Sequence, residues 1–152
     1  MTDVFISYSS KDSLIAKNLK NVLEKINVDA FMSELSIEPG KKWKDEIISK
    51  MSDAKWVIFL MSKNAKASMA VAHEVGAALF GKKDFYVVIW DMGPEEMPDW
   101  IQDVQVINLG KGEQHKLDQL IDDLGKKVQL QKWVIVGLLA ALFAFFVLGS
   151  KK

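Results

Sequence analysis

The chain contains no cysteine, which removes disulfides, thiolate metal sites and a cysteine nucleophile together. Its two histidines, His73 and His115, offer little to a metal, and no metal site is expected. "HEVGA" places Ala77 where a zinc-binding helix needs its second histidine. Phosphate loops are missing too, since no "GKK" carries the Ser/Thr that must follow the first lysine. An excess of one charge is also absent. The 20 Lys+Arg offset 20 Asp+Glu, and no basic run is interleaved with aromatics, so nucleic acid is not an expected partner. The opening "MTDVFISY" has no basic region ahead of a long apolar run, so no secretory signal is expected there.

What is present is apolar material in two different patterns. At 49% hydrophobic over 152 residues there is enough for the core of one domain. Residues 3–8, 29–33, 55–62, 84–91 and 104–109 read as strands separated by helical or turn segments. On the helix predicted for 12–26, Ile15, Leu19, Val22, Leu23 and Ile26 share one face. Strands alternating with helices predict an α/β domain, a five-stranded parallel sheet of flavodoxin-like form with helices on both faces. Ligands of such sheets bind beyond the carboxyl ends of the strands, where strand order reverses. "SYSSKD" and "MSKN" end the first and third strands on that rim.

The second pattern is "WVIVGLLAALFAFFVLG", residues 133–149, without charge, amide or proline and bounded by Lys132, Lys151 and Lys152. At 1.5 Å per residue it is about 25 Å long, near the lower limit for crossing a bilayer, and its flanking lysines reach the interface. The expected organisation is a domain at 1–128, a linker at 129–132, a transmembrane helix at 133–149 and a tail at 150–152. Without a signal peptide the domain is expected in the cytoplasm, on a single-pass C-terminal anchor.

Individual residues add detail. Ser9 and Ser10 leave backbone amides accessible at a strand end, and Asp12 or Ser10 suits the cap of the next helix. Pro39 and Gly40 make a turn, with Trp43 on the first turn of the helix behind it. Glu74 is the anomaly. On a helix beginning at Ser68, its neighbours three and four residues away are Ala70, Val71, Ala77 and Ala78, so no cation reaches it along the helix.

"VFISYSSKD", "SIEPGKKW" and "FLMSKNAKASMAVAHEVGAA" resemble, in order and spacing, the three regions that mark Toll/interleukin receptor (TIR) domains, here of bacterial type. The resemblance implies that Glu74 is the catalytic glutamate of an NAD-cleaving enzyme, with NAD as substrate and no cofactor. It implies further that Tyr8, Ser9, Ser10, Ser68 and Trp43 line the dinucleotide site. The loop of Pro39 and Gly40 is implied to pack against a neighbouring TIR domain, so that self-association completes the site. Ala70 departs from the pattern, since many bacterial TIR enzymes carry an aromatic there. The leading expectation is a membrane-anchored NAD hydrolase of antiphage immunity, activated by assembly and answering to an upstream sensor. A cyclic ADP-ribose-forming enzyme and a non-catalytic module recruiting other TIR proteins are the alternatives.

Overall fold

"VFISY" and "WVIFLM" are apolar on both sides of the chain, so each strand they form needs cover on both faces. The computed structural model, which describes residues 2–34, 41–68, 84–97 and 104–149, puts them at the centre of a five-stranded sheet. The strands are β1 (Val4–Tyr8), β2 (Ala30–Glu34), β3 (Trp56–Met61), β4 (Asp84–Ile89) and β5 (Gln105–Asn108). All pair in parallel in the order β2-β1-β3-β4-β5, so strand order reverses between β1 and β3. Three described helices accompany them: α1 (Ser13–Lys25), α2 (Lys41–Asp53) and α3 (Gln114–Gly149).

Alternation along the strands divides the core into two layers. Phe5, Val57, Phe59, Met61, Phe85, Val87 and Ile89 face Met51 of α2 and neighbouring Ala54. Val4, Ile6, Ile58, Leu60, Val88 and Ile107 face Ala16, Leu19 and Leu23 of α1 and Leu120, Leu124 and Val128 of α3. The face of α1 is rotated from the expected one: Ala16, Leu19 and Leu23 are buried, while Ile15 and Val22 are 40% and 44% exposed. Alanine at position 16 lets the helix lie close on β1, which turns the larger Ile15 and Val22 to the flank. Val22 and Ile26 there line a groove with Ile121 and Gly125 of α3. A Cβ on Gly125 would stand 2.9 Å from Ile26 Cδ1, the far end of a flexible side chain that can turn aside.

The end of α1 is closed by a left-handed residue, Asn27, at φ 62°. Asn27 N–H donates to the Glu24 carbonyl at 3.1 Å and Val28 N–H to Leu23 at 3.0 Å, pairing carbonyls that the last turn leaves free. At the start of α3, Asn108 N–H and the Lys116 ammonium both donate to Glu113, at 2.7 and 2.8 Å. The Lys116 bond, and then the Asn108 bond, hold the Glu113 carboxyl below the usual carboxylate range.

From Gln114, α3 runs unbroken to Gly149, so residues 129–132, where a linker was expected, are helical. Among the described residues, Val128 is the last one of α3 buried against the sheet. Beyond it Leu130, Trp133, Val134, Ile135, Val136, Leu138, Leu139 and Leu142 are all more than half exposed. Among the described residues no helix is long and apolar enough to cross a membrane, so the structure does not show the span expected at 133–149.

Phe59 is fully buried and stacks on Phe85 at 5.7 Å. Phe59→Ala is expected to lower the unfolding free energy by about 3–5 kcal/mol. Leu14→Ala, at a position 69% exposed, is expected to stay within about 0.5 kcal/mol. Urea titration followed by far-UV circular dichroism measures both.

Candidate functional site

Where strand order reverses, β1 and β3 run side by side and their chains leave the sheet in the same direction. Each exit turns at once into a 3-10 segment, Ser10–Asp12 after β1 and Lys63–Ser68 after β3. Short polar residues at both exits make this possible, because their side chains bond across the gap.

Asp12 is the centre of that bonding. Its side chain is buried, and both carboxylate oxygens accept from the β3 exit: Oδ2 from the Ser62 hydroxyl in a short bond, and Oδ1 from Asn64 Nδ2 at 3.0 Å. Ser62 Oγ in turn accepts Asn64 N–H at 3.1 Å, and Ser9 Oγ donates to the Asn64 carbonyl at 3.3 Å. The exit of β4 joins through Asp91, whose Oδ1 accepts Lys63 N–H at 2.9 Å. Three consecutive loops of the carboxyl rim are therefore tied by side chains.

This corrects the expectation that Asp12 or Ser10 caps α1. Asp12 stands at the cap position of α1, but its side chain makes no capping bond, and Ser10 lies in the 3-10 turn before it. A buried carboxylate needs donors on both oxygens, and the buried Ser62 hydroxyl and the more exposed Asn64 amide across the gap supply them.

The rim gathers several of the predicted residues. Tyr8 ends β1 and packs beside Ile6 and Met32, and Ser9 is buried in the tied turn. Ser10 stands exposed above that turn. Burial, and secondarily the Glu34 carboxylate, push the Tyr8 phenol up, so at neutral pH it is a protonated hydrogen-bond donor. Ser68 closes the β3-exit turn, and Trp43 lies in the first turn of α2, which begins at the same rim because α2 follows β2. Glu74, Ala70, Pro39 and Gly40 lie outside the described residues. Ser7, 1% exposed and on the β1 face that looks toward α2, has a hydroxyl without a hydrogen-bond partner among the described residues. Among the described residues no group of three His, Asp or Glu side chains is placed to hold a metal ion. The groove between α1 and α3 lies toward the other pole of the sheet and contributes nothing to the rim.

Sequence reasoning did not find the roles of Ser62, Asn64 and Asp91. "SKN" behind a fully apolar strand was the available signal, a polar pair two residues apart at a strand exit that already carried the site.

Three comparisons bear on this rim. A family model described as "TIR domain" matches residues 4–121. No curated protein matches. Among solved structures, the metazoan TIR-STING receptor from C. gigas in complex with 2',3'-cGAMP is 20% identical with a TM-score of 0.54, covering 70% of this chain and 34% of that one. This chain thus spans about a third of that receptor. A flavodoxin-like domain from Synechococcus sp. is 16% identical with a TM-score of 0.61, over 88% of this chain and 97% of that one. The TIR domains of the activated Roq1 resistosome, which directly recognises the pathogen effector XopQ, are 16% identical with a TM-score of 0.50, over 83% and 80%. At these identities the structural likenesses show the fold alone.

Asp12→Ala is expected to strand the buried Ser62 hydroxyl and cost about 2–3 kcal/mol of unfolding free energy, whereas Asp12→Asn keeps one acceptor and costs roughly half as much. Lys11→Ala, exposed on the same turn, is the matched control and is expected to change little. Thermal unfolding of the three variants side by side checks the order.

Proposed function

The chain belongs to the TIR domain family, and from that premise we propose that it is an NAD-cleaving enzyme acting through Glu74 on the tied rim. One observation carries the reading: Glu74 falls within the family match, six residues after Ser68, the last residue of the turn that leaves β3 at the strand-order reversal. The reaction breaks the bond between nicotinamide nitrogen and ribose C1'. The bonding pair leaves with nicotinamide, which departs neutral, and the ribose develops oxocarbenium character. A carboxylate facing that carbon in a dry pocket stabilises the charge and orients the ribose hydroxyls. Water then adds at C1' and releases a proton, giving ADP-ribose. No metal and no second acid are required by this balance.

Ala70 favours hydrolysis over cyclisation, because an alanine offers no ring on which to fold the dinucleotide back on itself. The same residue is the observation behind a second reading, a TIR module that recruits other TIR proteins without catalysis.

Self-association and attachment belong to the proposal as well. The loop of Pro39 and Gly40 is assigned to contact between TIR domains. The apolar segment 133–149 is assigned to a bilayer, supported by the exposure of its described large side chains from Trp133 to Leu142 and by lysines at both ends of the run. Confinement at a membrane raises local concentration, which favours assembly without a new contact. A bacterial antiphage role, with a separate sensor upstream, is the setting in which such a switch would serve.

Chromatography of NAD incubated with the full chain in vesicles is expected to show nicotinamide and linear ADP-ribose. Glu74→Gln is expected to lower turnover by about 10² to 10³ with the fold intact. Full turnover in that variant would refute the site, and inactivity of the clustered wild type would select the recruiting module. Replacing Gly40 by Trp is expected to reduce activity while the circular dichroism spectrum of the domain is retained; loss of helical signal would make the loop structural instead.

A further inference from the structure

The polar residues opposite the tied rim form a second cluster. Strands β1 and β3 begin there, and Lys55, just ahead of β3, is placed by the Asp3 carboxylate at 3.2 Å. Asp3 is itself held in the sheet's lower edge: its other oxygen accepts Asp29 N–H at 2.9 Å, and its carbonyl accepts Lys55 N–H at 3.0 Å. The Lys55 ammonium then donates to Gln131 Oε1 of α3 at 2.6 Å. One residue on, Lys132 Nζ donates at 3.0 Å to the carbonyl of Asn27, the left-handed residue that closes α1. Two consecutive residues of α3 are thus fastened to two different connections of the domain, at the place where α3 stops being buried and starts being apolar and exposed.

Three facts then coincide at residues 128–133: the last buried contact, the two fastenings, and an unbroken helix. A flexible tether would show a break or a glycine-rich stretch here. We propose that α3 is a rigid strut that seats residues 133–149 in a lipid bilayer and holds the domain upright on it, so that the rim of Asp12 and Ser62 faces away from the lipid. The occupant is a bilayer and not a partner helix because the exposed apolar residues include consecutive ones, 133–136, covering every side of the helix and leaving no polar face. From Gln131 at the fastening back to Gln114 near the rim, the helix rises about 26 Å, which sets the height of the rim above the surface. Dinucleotide would therefore reach the site from bulk solvent, and anchored copies would meet side by side with strands pointing the same way. This inference rests on bilayer insertion of 133–149, and the test separates the two.

The absence of native cysteine makes the test direct. Lys11→Cys labels the rim and Lys25→Cys, at the end of α1, labels the fastened pole; both positions are exposed. Each full-length protein carries a donor dye and is reconstituted in phosphatidylcholine vesicles with an acceptor on the headgroups. Energy transfer is expected to be at least about twofold greater from position 25 than from position 11, given the rise of the helix between the two poles. A six-residue Gly/Ser insertion after Gln131 is expected to bring the two values together. Equal transfer from both positions in the uninterrupted chain, or greater transfer from position 11, overturns the upright strut while membrane attachment stands. Failure to float with the vesicles overturns attachment and the strut with it.

Discussion

A carboxylate buried to 4% exposure is tolerated only if its oxygens find donors, and Asp12 finds them fifty positions downstream on Ser62 and nearby on Asn64. That requirement makes the site a property of two loops instead of one. Removing either partner strands a polar group where water does not reach, so the exits of β1 and β3 keep a fixed relation to each other. The residues between Ser62 and Ser68 inherit that relation, and the polypeptide that continues toward Glu74 starts from it. Asp91 extends the same logic to β4 by holding the backbone of Lys63.

The two poles of the sheet are built on the same principle with different chemistry. At the carboxyl pole, short side chains bond one another and leave Ser10 exposed above them. At the amino pole, long lysines span the joint with a helix from both sides: Lys55, beside Asp3, reaches Gln131 of α3, and Lys132 of α3 reaches back to the Asn27 carbonyl. Short polar side chains tie a rim together without covering it, while long cationic ones suit a joint, since their stems pack while their heads bond. The apolar layers between the poles, with Phe59 and Phe85 on one face and Leu23 and Leu124 on the other, keep the two ends at a constant separation.

The sheet was legible because its signal is local. Unbroken apolar runs such as residues 56–61 leave a strand buried on both faces as the economical reading, and all five strands fall within the expected segments to within about two residues. The rim was legible as a place, from the polar residues that end β1 and β3, but the role of Asp12 was not. Capping is a contact within four residues and is visible in sequence, whereas a bond to Ser62 requires knowing that two strand ends are adjacent. The face of α1 was misjudged at Ile15 and Val22 because periodicity counts apolar residues and gives little weight to Ala16, which is the one that lets the helix come close. The fastening of Gln131 to Lys55 left no trace in local pattern, and the polar stretch ahead of the apolar run read naturally as a linker.

An uninterrupted helix carries angle as well as length. Successive residues of α3 are turned by about 100° about its axis, so the side of the exposed segment that bears Gly137, Ala140, Ala141 and Ala144 stands at a fixed azimuth to the sheet. Any pairing through that side would choose which flank of one domain confronts the next. Inserting or deleting a single residue between Val128 and Trp133 would leave the composition of both halves intact and swing one against the other by more than a quarter turn. In this chain the compass bearing of the domain is written in the count of residues across the joint.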